Sequence, residues 1–430
     1  MPTTRVSMTL AEKIIAGACG RDSVTPGEIV IANVDLAMIH DSGGPRRVEP
    51  ILQTLGVGLF DREKVVLISD HFVPGDDEAG AKILELTRQW AKERKVTFYD
   101  GQGICHVVLP ERGHLKPGMF VVGGDSHSPT GGAFGAYMFG IGATEMAGVL
   151  ATGEIWIKVP DTILIDWQGT LQPGVTAKDI MLALCGRLGM DGGKYQAVQY
   201  TGEAIAALSM QERMTLSNMA AELGGQTGLI APDETTAAFI REAGGDPGDI
   251  SIWQPDPEAS VAEHHVFDAA ALEPQVAAPH SPANADDVSA YPGTALDVAY
   301  IGACTGAKYI DLERAAMVLK GKKVASGVEL LVAPASRQDQ DRAAEAGIMG
   351  VLEEAGARVL PNACGICAGY GTARLGEDVT CISSTARNFK GRMGAASSRV
   401  YLASPYTVAA SAVTGRITDP RPMLAEGGSS

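Results

Sequence analysis

Aromatic residues are scarce in this sequence, 5% of 430 residues, and long apolar runs are missing altogether. No stretch approaches the roughly 18 consecutive apolar residues of a membrane span. The opening MPTTRVSMTLAEKII lacks the continuous apolar core of a signal peptide. Basic residues are outnumbered, 35 against 51 acidic ones, giving a formal charge of −16 with no Lys/Arg run able to follow a phosphate backbone. These absences argue against membrane insertion, secretion and nucleic-acid binding, and lead us to expect a soluble, cytoplasmic protein. Cysteine is sparse as well: seven, an odd number, scattered along the chain. That is not a secreted disulfide framework, and it leaves metal binding or free thiols.

What the sequence has in quantity is glycine, 52 residues, on a 45% hydrophobic background. Such a profile suits an α/β enzyme with many tight strand-to-helix turns. At roughly 100–200 residues per domain, 430 residues imply two or three. We expect boundaries at 1–160, 161–285 and 286–430. One falls after GATEMAGVLATGEIWIKV, which reads as a single helix. The other falls in the Ala-, Pro- and Asp-rich stretch 254–290, which has no period and reads as an extended connection.

Strand–turn–helix signals recur. VVLIS (65–69) runs into Asp70, His71 and then the helical pattern DDEAGAKILELTRQWAKER. GMFVVGGDSHSPTGG delivers Asp125, Ser126 and His127 into a glycine-rich turn. LDVAYIGACTG places Cys304 just beyond a strand, and ARVLPNACGIC and DVTCISSTARNF repeat the arrangement. Alternation of this kind predicts parallel sheets, which bind ligands beyond the carboxyl ends of their strands.

Cys364 and Cys367, in C-G-I-C, present two thiols one turn apart, and Cys304 stands on an equivalent strand-end turn. Three thiolates suit a four-iron cluster and leave one iron unprotected, as a Lewis acid requires. The cysteine pattern alone leaves open a redox dithiol and a structural zinc. Cys19, Cys105, Cys185 and Cys381 read as buried small apolar residues.

Three of only eight histidines, His71, His106 and His127, fall on strand-end or glycine-flanked segments. An Asp beside a His fixes its tautomer and suits proton handling. Asp125, Ser126 and His127 are too close in sequence to form a hydrolase relay with each other, and the following glycines match neither a P-loop nor a dinucleotide fingerprint. In LSNMAAELGG, Asn218 and Glu222 are four apart and share one face of a helix ended by Gly224 and Gly225. Arg387 and Arg392 flank a glycine turn and have the chemistry to grip carboxylates.

Together these motifs resemble the aconitase superfamily, most closely the large subunits of isopropylmalate dehydratase and its two-subunit relatives. The likeness runs from MTLAEKIIAG through DHFVP, GICHVVLPERGHLKPGMFVVGGDSHSPTGGAFG and LSNMAAELGG to GACT, CGIC, RNFKGR and SPYTVAASAVTGRITD. It implies three α/β/α domains around a central cleft, without the swivel domain, and a [4Fe–4S] cluster ligated by Cys304, Cys364 and Cys367. It implies that His40 lines the substrate pocket. Asp70 with His71, and His106 with Asp125, are implied to stabilise the leaving hydroxyl and the iron-bound water. Ser126 is implied as a carboxylate contact, His127 with Glu222 as a further pair at the reacting hydroxyl, Asn218 as a neighbour of the cluster, and Arg387 and Arg392 as substrate-carboxylate arginines.

The implied reaction is reversible loss or addition of water on a hydroxy di- or tricarboxylate of the 3-isopropylmalate type; 2-methylmalate, 2,3-dimethylmalate and malate or maleate are the alternatives. A separate small swivel-domain subunit is implied to supply the catalytic serine. The chain departs from the family's usual GSCTN with Ala303 and Gly306, and from SNRNF with Ala386. A cluster-free RNA-binding protein and a zinc-bound structural protein are the readings from other classes.

Overall fold

Short β-branched runs bounded by glycine make the strands, and the computed structural model, which describes residues 6–371 and 373–427, gathers them into three larger sheets and a two-stranded ribbon. In the first sheet the order is Thr97–Asp100, Val65–Ser69, Leu36–His40, Phe120–Gly123, Tyr137–Gly140, all parallel. Leu36–His40 lies between the strand that follows it in the chain and one that follows much later. The chain therefore reverses its direction of travel there, and a crevice opens beyond the carboxyl ends.

The third sheet repeats this device. Val298–Ile301 lies between Glu329–Val332, the next strand in sequence, and Thr380–Ser383, with Ala357–Val359 and Arg399–Ala403 outside them. Gln275–Ala277 adds antiparallel to Arg399–Ala403, and Ala285–Asp287 adds antiparallel to Gln275–Ala277 at the sheet's edge. The second sheet is parallel, ordered Thr227–Ile230, Ala197–Thr201, Thr162–Gln168, Glu263–Asp268. The mixed α/β architecture is the one expected from the sequence. Among the described residues no helix is long and apolar enough to cross a membrane.

Three local expectations change. The helix read across GATEMAGVLATGEIWIKV stops at Thr152, because Gly153 turns left-handed with φ 76°. The remaining Glu154–Lys158, rich in β-branched and aromatic residues, pairs antiparallel with Ile29–Asn33. The helix Met210–Met219 carries Asn218 but ends before Glu222, which sits in the turn that follows. Its amide still bonds the Met219 carbonyl at 3.0 Å, so the chain keeps nearly helical direction. Finally, 254–290 is not a bare connection: Glu263–Asp268 joins the second sheet, while Gln275–Ala277 and Ala285–Asp287 join the third. Glu263–Asp268 and Ala285–Asp287 are edge strands, which need backbone pairing more than an apolar period, so composition hides them.

Candidate active site

The carboxyl ends of the first and third sheets face one another. His40 ends the strand Leu36–His40, and its Nε2 bonds the Gly124 carbonyl at 3.0 Å while its ring stacks on His71 with centroids 4.4 Å apart. Burial pulls its imidazole below the usual range, reinforced by the neighbouring His71.

Asp70 follows Val65–Ser69 and works in three directions. Oδ1 lies 2.6 Å from His71 Nδ1, Oδ2 accepts from the Cys105 amide at 2.8 Å, and its carbonyl accepts the Cys364 amide at 2.8 Å. One residue of the first sheet thus anchors the loop that carries two cysteines of the third. Burial works against charge on both partners, but their mutual attraction and hydrogen bond prevail, holding Asp70 well below the carboxylate range and lifting His71 to about 9. Asp41, which sequence reasoning passed over, accepts the amides of His71 at 3.1 Å and Phe72 at 2.9 Å and so fixes this turn. Its signal was the acid directly after MIH, on the same kind of strand end.

His106 is in the first turn of the helix Cys105–Glu111, not on a strand end. Its Nε2 lies 2.8 Å from Asp125 Oδ1, which also accepts the His127 amide at 2.8 Å. His127 Nε2 is 3.1 Å from Glu222 Oε1. Arg387 Nε donates to the same Glu222 oxygen, and its Nη1 donates to Ser126 Oγ at 2.9 Å. Against the burial that would raise it, the Arg387 and His127 charges keep Glu222 well below the usual range. A 380 Å³ cavity lined by Asp125, Ser126 and Arg387, among others, opens over this array. Arg392 stands apart from the pairs, with Nε buried and unbonded and its charge acting on Cys367.

All three sequence-predicted cysteines are free thiols. Asn218 Nδ2 donates to Cys304 Sγ at 3.2 Å and to Thr130 Oγ1 at 2.8 Å. Cys364 and Cys367 hydrogen-bond to each other, and that bond chiefly holds the Cys367 thiol below the ordinary thiol range, against burial and with help from Arg392, His127 and Lys178. Cys304 feels Cys367 in turn, although burial dominates and lifts it to about 12. The Cys304 turn is held against its own preference: Ala303 adopts φ 70°, a left-handed conformation costly for a residue with a side chain.

A soft-metal cluster fits this donor set. Three buried or half-buried sulfurs act on one another electrostatically, and their surroundings leave Asn218 Oδ1, His106 Nδ1, Glu222 Oε2 and Arg392 Nε buried without protein partners. Buried polar atoms are rarely left unpaired, and a group bound at the sulfurs would offer partners to these atoms. Cys105, Cys185 and Cys381 are buried, as expected for small apolar residues, whereas Cys19 is half-exposed.

The aconitase family (aconitate hydratase) profile matches residues 23–415. The "3-isopropylmalate dehydratase large subunit 1" of Methanopyrus kandleri is 45% identical over 97% of this chain and 99% of its own length. The "3-isopropylmalate dehydratase large subunit" of Moorella thermoacetica is 43% identical over 97% and 100%. A "Probable methanogen homoaconitase large subunit" from Methanothermobacter thermautotrophicus follows at 40% over 98% and 100%.

Proposed function

Since the chain belongs to the aconitase family, we propose that it is the large subunit of an iron–sulfur hydro-lyase of the 3-isopropylmalate dehydratase type, acting reversibly on a small hydroxy di- or tricarboxylate. The observation that carries this reading is the convergence of three histidine–carboxylate pairs and three free cysteines at two facing strand crossovers. Cys304, Cys364 and Cys367 are the residues that hold a [4Fe–4S] cluster in this reading. When bound, such a cluster with only three protein thiolates supplies a Lewis-acidic iron that makes hydroxide a tolerable leaving group.

The chain's own residues handle protons and orientation. Asp70 engages His71 Nδ1, so the protonated ring keeps Nε2–H as its donor toward a departing hydroxyl. Asp125 fixes His106 through Nε2 and leaves Nδ1 free to exchange a proton with water. Arg387 spans Glu222 and Ser126, so a substrate carboxylate arriving at Ser126 meets a guanidinium already oriented by the protein. His127, held by Asp125 at its amide and by Glu222 at Nε2, keeps Nδ1 for a hydrogen bond at the reacting hydroxyl.

The serine that removes the carbon-bound proton comes, in this proposal, from a separate small subunit. The names of the relatives support a two-subunit enzyme and differ over the acid, isopropylmalate for two and homoaconitate for the third. The test is anaerobic reconstitution with iron, sulfide and the small subunit, followed by hydration assays on unsaturated di- and tricarboxylates. We expect a brown protein that adds water to the unsaturated acid of the isopropylmalate reaction. Iron-loaded complex that hydrates none of the acids would overturn the reading.

A further inference from the structure

Lys178 takes no part in the pairs above, yet it is one of the largest fully enclosed side chains, 1% exposed, at the start of the helix Ala177–Leu188. Its ammonium donates to Thr305 Oγ1 at 3.4 Å and to the carbonyls of Ser384 at 3.1 Å and Thr385 at 2.5 Å. All three partners are neutral oxygens, and among the described residues no carboxylate forms an ion pair with it.

Lys308, the other lysine enclosed in this region, makes the contrast. It also bonds neutral oxygens, Cys304 O and Thr215 Oγ1, but Asp311 Oδ2 stands 2.9 Å away as a counter-ion. A buried ammonium without an anion is expensive, and proteins keep one only where negative charge lies close. The negative groups that act on Lys178 against its desolvation are Glu222, Cys367 and Cys304. Glu222, the strongest of them, is also ion-paired to Arg387 and His127. The sulfurs are the other negative groups near the ammonium.

We infer that Lys178 is a counter-cation of the sulfur site, beside Arg392 and Lys308: it offsets part of the negative charge of the three thiolates and whatever they hold, and thereby raises the reduction potential of a bound cluster. The inference rests on the cluster reading above and concerns a positioning residue, not one that touches substrate. The contacts fit the role. Thr305 follows the ligand Cys304, and Ser384 and Thr385 lead into Ala386 and Arg387, so one ammonium ties both of these segments together beside the first ligand. A positive charge held nearby stabilises the reduced, more negative state of a one-electron cluster.

The measurement is an EPR-monitored redox titration of the reconstituted protein, with iron per chain determined first. Lys178→Gln keeps a donor for the carbonyls and removes the charge; Lys178→Arg keeps the charge. At a fixed poise the Gln variant is expected to show a reduced-to-oxidised ratio about tenfold lower, equivalent to about 59 mV more negative, with the Arg variant restored to the wild-type value. A fully iron-loaded Gln variant with an unchanged potential overturns the inference. If the Gln variant fails to fold or to keep iron, the Arg variant decides, because a potential displaced from wild type despite the retained charge also overturns it. Wild-type protein that takes up no iron fails the functional reading instead, and iron analysis separates that result from the others before any titration.

Discussion

The two crossover points that face each other across the site are built in opposite ways. At the first, nearly every charged group finds its partner within the same unit: Asp70 with His71, and Asp125 with His106 and the His127 amide. At the third sheet the equivalent turns carry sulfur, alanine and glycine, and their partners come from elsewhere, Asn218 and Lys178 from the second unit and the Asp70 carbonyl from the first. In the proposed function the first half is therefore a proton-handling array whose pairs are already made within the protein, and the second a socket whose charge balance is completed by what it holds.

The largest effect that tests this contrast is loss of the socket. Cys364→Ser should strip iron from reconstituted protein and take hydration activity below detection while leaving the fold intact, because the Asp70 carbonyl grips the backbone amide and not the thiol. Cys19→Ser, at a half-exposed cysteine outside the constellation, should keep iron and activity. Iron retained by Cys364→Ser would break the comparison. Next comes the array: Asp125→Asn removes the carboxylate shared by His106 and His127 and should lower kcat by roughly 10²–10⁴-fold with iron content unchanged. Loss of iron in that variant would show that the two halves are not separable.

Much of this site was legible because its chemistry sits where the topology of parallel sheets puts it. Asp70, His71, Asp125, His127 and Cys304 follow apolar runs that became strands, and the C-G-I-C spacing placed Cys364 and Cys367 together. What stayed hidden depends on long-range packing. Lys178 carries no local signal of its role, since the carbonyls it bonds lie 206 and 207 residues away; Asp41 had only its place after a strand, and the amides that define its role lie 29 to 31 residues away. Glu222 was named from its spacing and the resemblance, but its partner Arg387 lies 165 residues away and only the fold brings the two together. Edge strands such as Glu263–Asp268 were missed because pairing, not burial, makes them.

The socket's small residues are a packing requirement, which gives a third and smaller effect. A Cβ on Gly306 would fall 2.2 Å from Ser384 Oγ and 2.5 Å from its carbonyl, in the turn where Ser384 Oγ takes the Gly302 amide at 3.0 Å. Gly306→Ala should cost about 1–3 kcal/mol of stability, the range for overpacking a tight site. Thermal unfolding of apo protein measures it, and an unchanged midpoint would mean that these segments move apart freely.

A last effect lies on the seam that holds the two halves in register. Segment 102–111 docks on 335–339: the Ile104 amide bonds the Ala335 carbonyl at 2.8 Å, the Arg337 amide the Gln102 carbonyl at 2.9 Å, and Ser336 Oγ donates to Glu111 Oε1 at 2.8 Å. Burial, with the nearby Asp339 charge adding to it, pushes the Glu111 carboxyl far above its ordinary 4.5. A folded state that holds this proton more tightly than the unfolded chain is favoured at low pH. Its advantage is complete below pH 4.5 and drains away as pH rises from there through neutral, by at most about 1.4 kcal/mol per pH unit. Glu111→Gln, which cannot ionise and still accepts from Ser336, should flatten that part of the stability–pH curve and make the variant more stable than wild type at the alkaline end. Denaturant midpoints collected from pH 5 to 8 test the sign. Parallel curves for the two proteins would place the seam's stability elsewhere, in the backbone bonds between 102–104 and 335–337 alone.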